Sequence, residues 1–230
     1  SRVPPMLLIV PASSRAGYYN ASVIWRFTLV CSWLALVACA VALSVLAAQH
    51  DTLPGDAGII AWAQDRTFPG KMLSDIVRAV TTTEVVLATG AIIAVLLWAT
   101  GRRWEAGLLV LGLVLLPLLQ GGLKEMVDRP RPAEPLVELR AGFSSESYPA
   151  GHVMSAAFLY GFLLYLAVRR SMPRILNYAG GIGAGVIVVL AGPPNVWLGV
   201  HWPSDVLGGW AWGLALAGLI ALAVERARAH

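Results

Sequence analysis

Six stretches of this chain are apolar for long enough to cross a lipid bilayer as helices, and together they use up nearly half of its 230 residues. A spanning helix needs about 20 predominantly apolar residues. Runs of that kind cover 27–48, 85–100, 106–123, 153–168, 175–192 and 206–224, with neutral flanks available to lengthen the shorter ones. Hydrophobic residues make up 57% of the chain and charged residues 13%, and the mean hydropathy is +0.69. A soluble globule cannot cover its surface with so few charges. Ordinary cytosolic enzymes, coiled coils and disordered chains are excluded. The expectation is an all-α integral membrane bundle of six transmembrane helices.

The positions of Lys and Arg orient the bundle. With the N-terminus inside, the cytoplasmic side holds ten bases (Arg2, Arg15, Arg26, Arg102, Arg103, Arg169, Arg170, Arg174, Arg226 and Arg228) against Glu105 and Glu225. The outer side holds seven bases against eleven acids. Both termini are therefore expected in the cytoplasm. Residues 1–26 read as a cytoplasmic segment without a signal-peptide pattern, and 27–230 as one membrane domain. Cys31 and Cys39 share one apolar run and offer no disulfide framework.

The long loops all fall on the outer side. Residues 49–84 carry Ile59, Trp62, Phe68, Met72, Ile76 and Val77 among scattered charges, a spacing that suits an interfacial helix broken at Pro69-Gly70. Trp197, Trp202, Trp210 and Trp212 read as an interfacial aromatic belt, with a groove for a lipid tail as the alternative. Small residues from Ala179 to Gly185 suggest close helix packing in the fifth span.

Chemistry concentrates at three outer boundaries. The first carries Lys124, Arg129, Pro130, Arg131 and Pro132; the second Pro149, Ala150, Gly151 and His152; the third Asn195, His201, Pro203 and Asp205. Lys124 and Arg131 offer cationic donors for phosphate oxygens. Gly151 and His152 open a helix whose free N–H groups can hold an anion. His201 and Asp205, four residues apart at a helix start, can bring a carboxylate to an imidazole. One histidine then serves as nucleophile and the other as proton donor, leaving open which does which. With cations for the developing charge, this is a phosphoryl-transfer site that needs no metal and no cofactor.

These stretches resemble the three elements of the type 2 phosphatidic acid phosphatase superfamily. Lys124 through Pro132 fits K-x6-R-P, Pro149 through His152 resembles P-S-G-H, and Asn195 through Asp205 resembles R-x5-H-x3-D. The layout is similar to that of the bacterial membrane branch, which includes phosphatidylglycerophosphate and undecaprenyl diphosphate phosphatases. The resemblance implies that His201 attacks phosphorus, oriented by Asp205, while His152 protonates the leaving oxygen. It implies that Lys124, Arg131 and the Gly151 N–H hold the phosphoryl oxygens, with Ala150, Asn195 and Arg129 as further contacts. It also implies a lipid phosphate substrate among membrane lipids, no nucleic acid partner, and a site on the extracytoplasmic face of a bacterial inner membrane.

Two positions depart from the pattern. Ala150 replaces serine, leaving a backbone N–H but no hydroxyl. Asn195 replaces the arginine that would clamp phosphate, and loss of one such donor costs about 10²–10³ in rate. Arg129 and Arg140 are the candidates to compensate. A phosphotransferase and a catalytically weakened lipid-phosphate binder are the competing readings.

Overall fold

The computed structural model describes residues 12–143, 145–169 and 174–228. All regular structure among them is helical: α1 (Ala12–Gln49), α2 (Asp56–Gln64), α3 (Gly70–Thr81), α4 (Thr83–Ala99), α5 (Arg103–Val127), α6 (Gly151–Val168), α7 (Arg174–Leu190), α8 (Pro193–Trp197) and α9 (Pro203–Ala227). Five of these have the length and apolarity to cross a membrane, and a sixth crossing is available if α3 and α4 act as one broken span. The expected second span is thus the 17-residue α4, joined to α3 by a 53° bend. Thr82 makes the joint. Its extended backbone stops α3, and its hydroxyl accepts the Val85 N–H at 3.3 Å to cap α4.

The first outer segment holds two helices rather than one. Helix α2 ends before Asp65 and α3 restarts after Pro69, where the Pro-Gly pair breaks the pattern as expected. The third outer segment, between α7 and α9, contains the short α8.

The core forms around α6 and α9. Met154, Phe158, Leu159 and Phe162 pack with Leu109, Leu113, Leu116 and Ile220, all of them buried. Outward faces are equally apolar: Ile175, Tyr178, Ile182, Val186 and Val189 of α7 are all exposed, as are Leu34, Val41 and Val45 of α1. Exposed apolar surface on that scale requires a nonaqueous surrounding.

Close packing is tightest at α9, while among the small residues of α7 it involves Gly181 and the buried Ala184. A Cβ at Gly208 would overlap the Tyr148 ring, one at Gly209 would lie 2.8 Å from the Ala150 carbonyl oxygen, and one at Gly213 would overlap the Met154 carbonyl. Gly209 and Gly213 seat α9 directly on the backbone at the start of α6, and Gly208 makes room for the Tyr148 ring. In α7, Gly180, Gly183 and Gly185 meet no atom within 4 Å, and only Gly181 approaches a neighbour, the Ala167 methyl at 3.1 Å.

The other end of the bundle is tied by charge. Glu105 accepts from Arg228 at 2.5 Å and lies 3.2 Å from Arg102, while Glu225 accepts from Tyr165 at 2.7 Å and pairs with Arg169 at 2.8 Å. The two acids that dilute the basic side are thus both neutralised within it.

Candidate active site

Local structure sets up His201 before any long-range contact does. The chain leaves α8 through Gly199, whose φ of 70° suits a residue without a side chain. The Asn195 carbonyl accepts the N–H groups of Val200 and His201 at 3.2 and 3.3 Å. Pro203 then opens α9, and Asp205 in its first turn accepts the Trp202 N–H at 2.9 Å. Capping the helix and facing the imidazole are therefore compatible: the same Oδ2 lies 3.7 Å from His201 Nδ1.

Behind His201 is a buried ionic layer. Arg129 is 1% exposed. Its Nη1 donates to Asp205 at 2.6 Å and Ser204 at 2.7 Å, its Nη2 to Asp56 at 2.9 Å, and its Nε to the Asp51 carbonyl at 3.1 Å. The Ser147 hydroxyl completes Asp205 with a short bond to Oδ2. Asp56 also accepts the N–H groups of Leu53 and Ser204 at 2.9 and 3.0 Å. Every charge in this layer is paired, the condition under which buried ions are tolerated.

In front of His201 is a polar cavity of about 340 Å³, lined by Lys124, Arg131, Gly151, His152, His201 and Arg78, with Thr83, Gln120 and the exposed Glu84 at its edges. Lys124 donates to the Glu146 carbonyl at 2.5 Å. Arg131 donates to the carbonyls of Val200 at 2.5 Å and Ser145 at 2.6 Å, and lies over the Phe143 ring at 4.7 Å. Its Nη1 is 3.2 Å from His201 Nε2. A guanidinium only donates, so Nε2 must present its lone pair and the ring proton belongs on Nδ1, toward Asp205. Burial pushes His201 down to about 4, with Asp205 opposing and Arg131 and Lys124 adding to the fall. The ring is neutral near pH 7. Burial, with Arg78 contributing, lowers Arg131 to about 10 against the opposing pull of Asp205, and it stays cationic.

His152 stands in the first turn of α6, whose leading N–H groups have no intrahelical acceptor. A Cβ at Gly151 would meet no atom within 4 Å, so packing does not demand glycine there. Gln120 donates to the Gly151 carbonyl at 3.1 Å and to Ser155 at 2.8 Å, and Thr83 donates to Gln120 at 3.2 Å, bracing α4, α5 and α6 beneath the cavity.

The structure brings together Lys124, Arg131, Gly151, His152 and His201, with Asp205 behind. It does not bring Arg129, Ala150 or Asn195 to the cavity lining. Arg129 faces the ionic layer, and the N–H of Ala150, expected to be free, donates to the Asp205 carbonyl at 3.1 Å. Asn195 is fully buried and donates to the Ala191 carbonyl at 2.8 Å. Arg140 is held by Glu138 at 2.7 Å and stacks on Trp197. Neither candidate compensator reaches the cavity.

Arg78 does, and sequence reasoning passed over it. Ser74, Val77 and Thr81 form the buried stripe of α3, and Arg78 lies on that stripe at helical spacing. A charge on the buried face of an amphipathic helix was the available signal. Its Nη1 is buried without a hydrogen-bond partner, a state that costs about 1–3 kcal/mol for a neutral donor and more for a charged one.

The tryptophans are tied into the protein rather than forming one belt. Trp202 donates to the Pro130 carbonyl at 3.0 Å and Trp212 to Ser44 at 3.0 Å. Trp197 and Trp210 donate to the carbonyls of Arg66 and Val188, and line an apolar groove of about 890 Å³ beside α2, α8 and α9.

Comparison with known proteins gives a consistent answer. Residues 105–229 match the PAP2 superfamily. A stretch of 122 residues is 39% identical to phosphatidylglycerophosphatase B of Bacillus subtilis (strain 168), covering 52% of this chain and 58% of that protein, so the match spans little more than half the relative's length. The crystal structure of a transmembrane PAP2-type phosphatidylglycerolphosphate phosphatase from Bacillus subtilis superposes with a TM-score of 0.55 at 28% identity, over 85% of this chain and 93% of that one. With the motif residues gathered at one cavity and more than half its length matched, the chain belongs to the PAP2 superfamily.

Proposed function

We propose that this protein is a membrane phosphatase that hydrolyses a lipid phosphate monoester, with a phosphatidylglycerophosphate-type headgroup as its substrate. One observation carries the reading: His201, with Nε2 3.2 Å from Arg131 and Nδ1 buried 3.7 Å from Asp205, short of a hydrogen bond, shares a cationic cavity with His152. The substrate follows from what the Bacillus relatives are named for.

In this reading His201 Nε2 attacks phosphorus as the ester P–O bond breaks. Asp205 stabilises the imidazolium that forms. Burial, and then Arg78, His201, Arg131 and Lys124, lower His152 to about 4, so it acquires its proton as the phosphate anion enters beside it and then gives that proton to the leaving alkoxide. The then-neutral His152 takes a proton from water, which attacks the phosphohistidine and releases phosphate. Lys124, Arg131 and the N-terminal N–H groups of α6 hold the phosphoryl oxygens through both steps. Glycine at 151 leaves room for them. The topology proposed with it has six spans, α3 and α4 together making the second, both termini cytoplasmic and the cavity at the outer face of a bacterial inner membrane. The uneven distribution of Lys and Arg supports that orientation.

The test is phosphate release from phosphatidylglycerophosphate, phosphatidate and undecaprenyl diphosphate in parallel, using detergent-solubilised protein. His201→Ala should lower release by at least about 10³-fold while keeping the thermal midpoint. Equal release by both proteins would refute the reading, and preferred cleavage of the diphosphate would move the substrate class.

A further inference from the structure

We propose that Arg78 is a catalytic residue of this protein: a phosphoryl-binding guanidinium supplied by α3, in place of the cation absent at Asn195. The inference rests on the reading of the cavity as a phosphate site. It reaches a residue outside the stretch that matches the family, which begins at residue 105.

Three observations carry it. First, the partners are missing on one side only. Lys124 and Arg131 each rest on main-chain carbonyls, whereas Arg78 Nη1 is buried with none. The nearest acid on its own helix, Asp75, pairs with Lys71 at 3.0 Å and acts on Arg78 only through its field, making no ion pair with it among the described residues. Glu84, an exposed carboxylate at the cavity edge, forms no ion pair with Arg78 among the described residues. A guanidinium left with an open donor beside two other cations lacks an anion, and the cavity it lines is where an anion fits.

Second, the supporting element is the right one. Helix α3 packs against α8, which carries Asn195, and against α6, which carries His152. Ser74 and Thr81 donate back to the carbonyls of Gly70 and Val77 at 2.8 and 2.7 Å, so the buried stripe beside Arg78 has its polar groups satisfied. Third, the alternatives are used up. Arg129 is committed to Asp56 and Asp205, and Arg140 to Glu138.

The experiment compares wild type, Arg78→Gln and Arg78→Lys as full-length protein in detergent, by two readouts. One is turnover of phosphatidylglycerophosphate; the other is the rise in thermal midpoint on adding inorganic phosphate. Arg78→Gln should lose about 10²–10³-fold in kcat/KM, mostly in kcat, and lose the phosphate-induced rise. Arg78→Lys, which keeps the charge without the paired N–H fork, should fall between. Turnover of Arg78→Gln within about threefold of wild type, or an undiminished phosphate response, would overturn the assignment. If Arg78→Gln does not fold, Arg78→Lys decides by the same readouts, and wild-type values in both would overturn it. If wild type is stabilised by phosphate through Arg78 yet turns over none of the lipids, the assignment stands as a binding residue and the phosphatase reading falls. No phosphate response in wild type overturns the assignment itself.

Discussion

The two sides of His201 use the same kinds of side chain to opposite ends. Behind the ring, Arg129 meets Asp56 and Asp205, and every charge has a charged partner. In front, Lys124 meets a neutral carbonyl, Arg131 meets neutral carbonyls, the His201 ring and the Phe143 face, and Arg78 has an open donor. Arg129 and Arg131 are two residues apart in one short segment, yet one closes a structural ion network and the other faces a cavity. The difference teaches how to read a buried cation. Where carboxylates complete it, it holds the fold; where carbonyls only steer it, its field is left for a ligand.

The comparison breaks most visibly at its back. Arg129→Gln leaves Asp56 and Asp205 without a counter-charge, and loss of one partner of a buried pair costs about 3–5 kcal/mol. The expected result is a lower thermal midpoint or loss of folded protein on size-exclusion chromatography. A variant as stable as wild type would mean the layer is not structural.

Acidification sharpens it next. Asp205 shares its charge with Arg129, so it does not hold His201 protonated, and burial keeps the ring down to about 4 against an ordinary 6.5. As pH falls from 6.5 toward 4, the unfolded chain takes up this proton before the folded one, so stability must fall across that window. His201→Gln removes the effect. The midpoint of wild type should therefore drop relative to His201→Gln between those values, and parallel curves would contradict the neutral, buried ring.

The smallest effect is expected at the position that looks most defective. If Arg78 supplies the missing guanidinium, an arginine at the fully buried position 195 would have to reach a cavity that already has three cations, and Asn195→Arg should raise kcat/KM by less than about tenfold. A gain of about 10²-fold or more would show that the clamp really is missing.

Much of this was legible before any coordinates. Lys124, His152 and Asp205 stand at the ends of apolar runs, where a residue can be assigned to one end of the bundle from spacing alone, and Arg131 and His201 were found through the motif intervals that tie them to Lys124 and Asp205. Arg129 could not be assigned, because it sits in an Arg-Pro-Arg-Pro segment where the direction of each side chain depends on partners more than seventy residues away. Asp56 was missed because its partners Arg129 and Ser204 are brought to it only by the fold; Arg78 carried a local signal, a charge on the buried stripe of α3, but the elements that stripe packs against, α6 and α8, could not be read from sequence. Glycine content misled in the same way. Helices α7 and α9 are both rich in it, but only the contacts distinguish a surface from a seam.

That seam has a mechanical meaning. His152 sits in the first turn of α6, and His201 lies two residues before α9, so each imidazole is mounted at the tip of one of two rods. Backbone lies on backbone along those rods, and side-chain rearrangement cannot wedge them apart. The gap between the two imidazoles is thus governed by how α6 and α9 seat on one another at Gly209 and Gly213, rather than by the outlying helices.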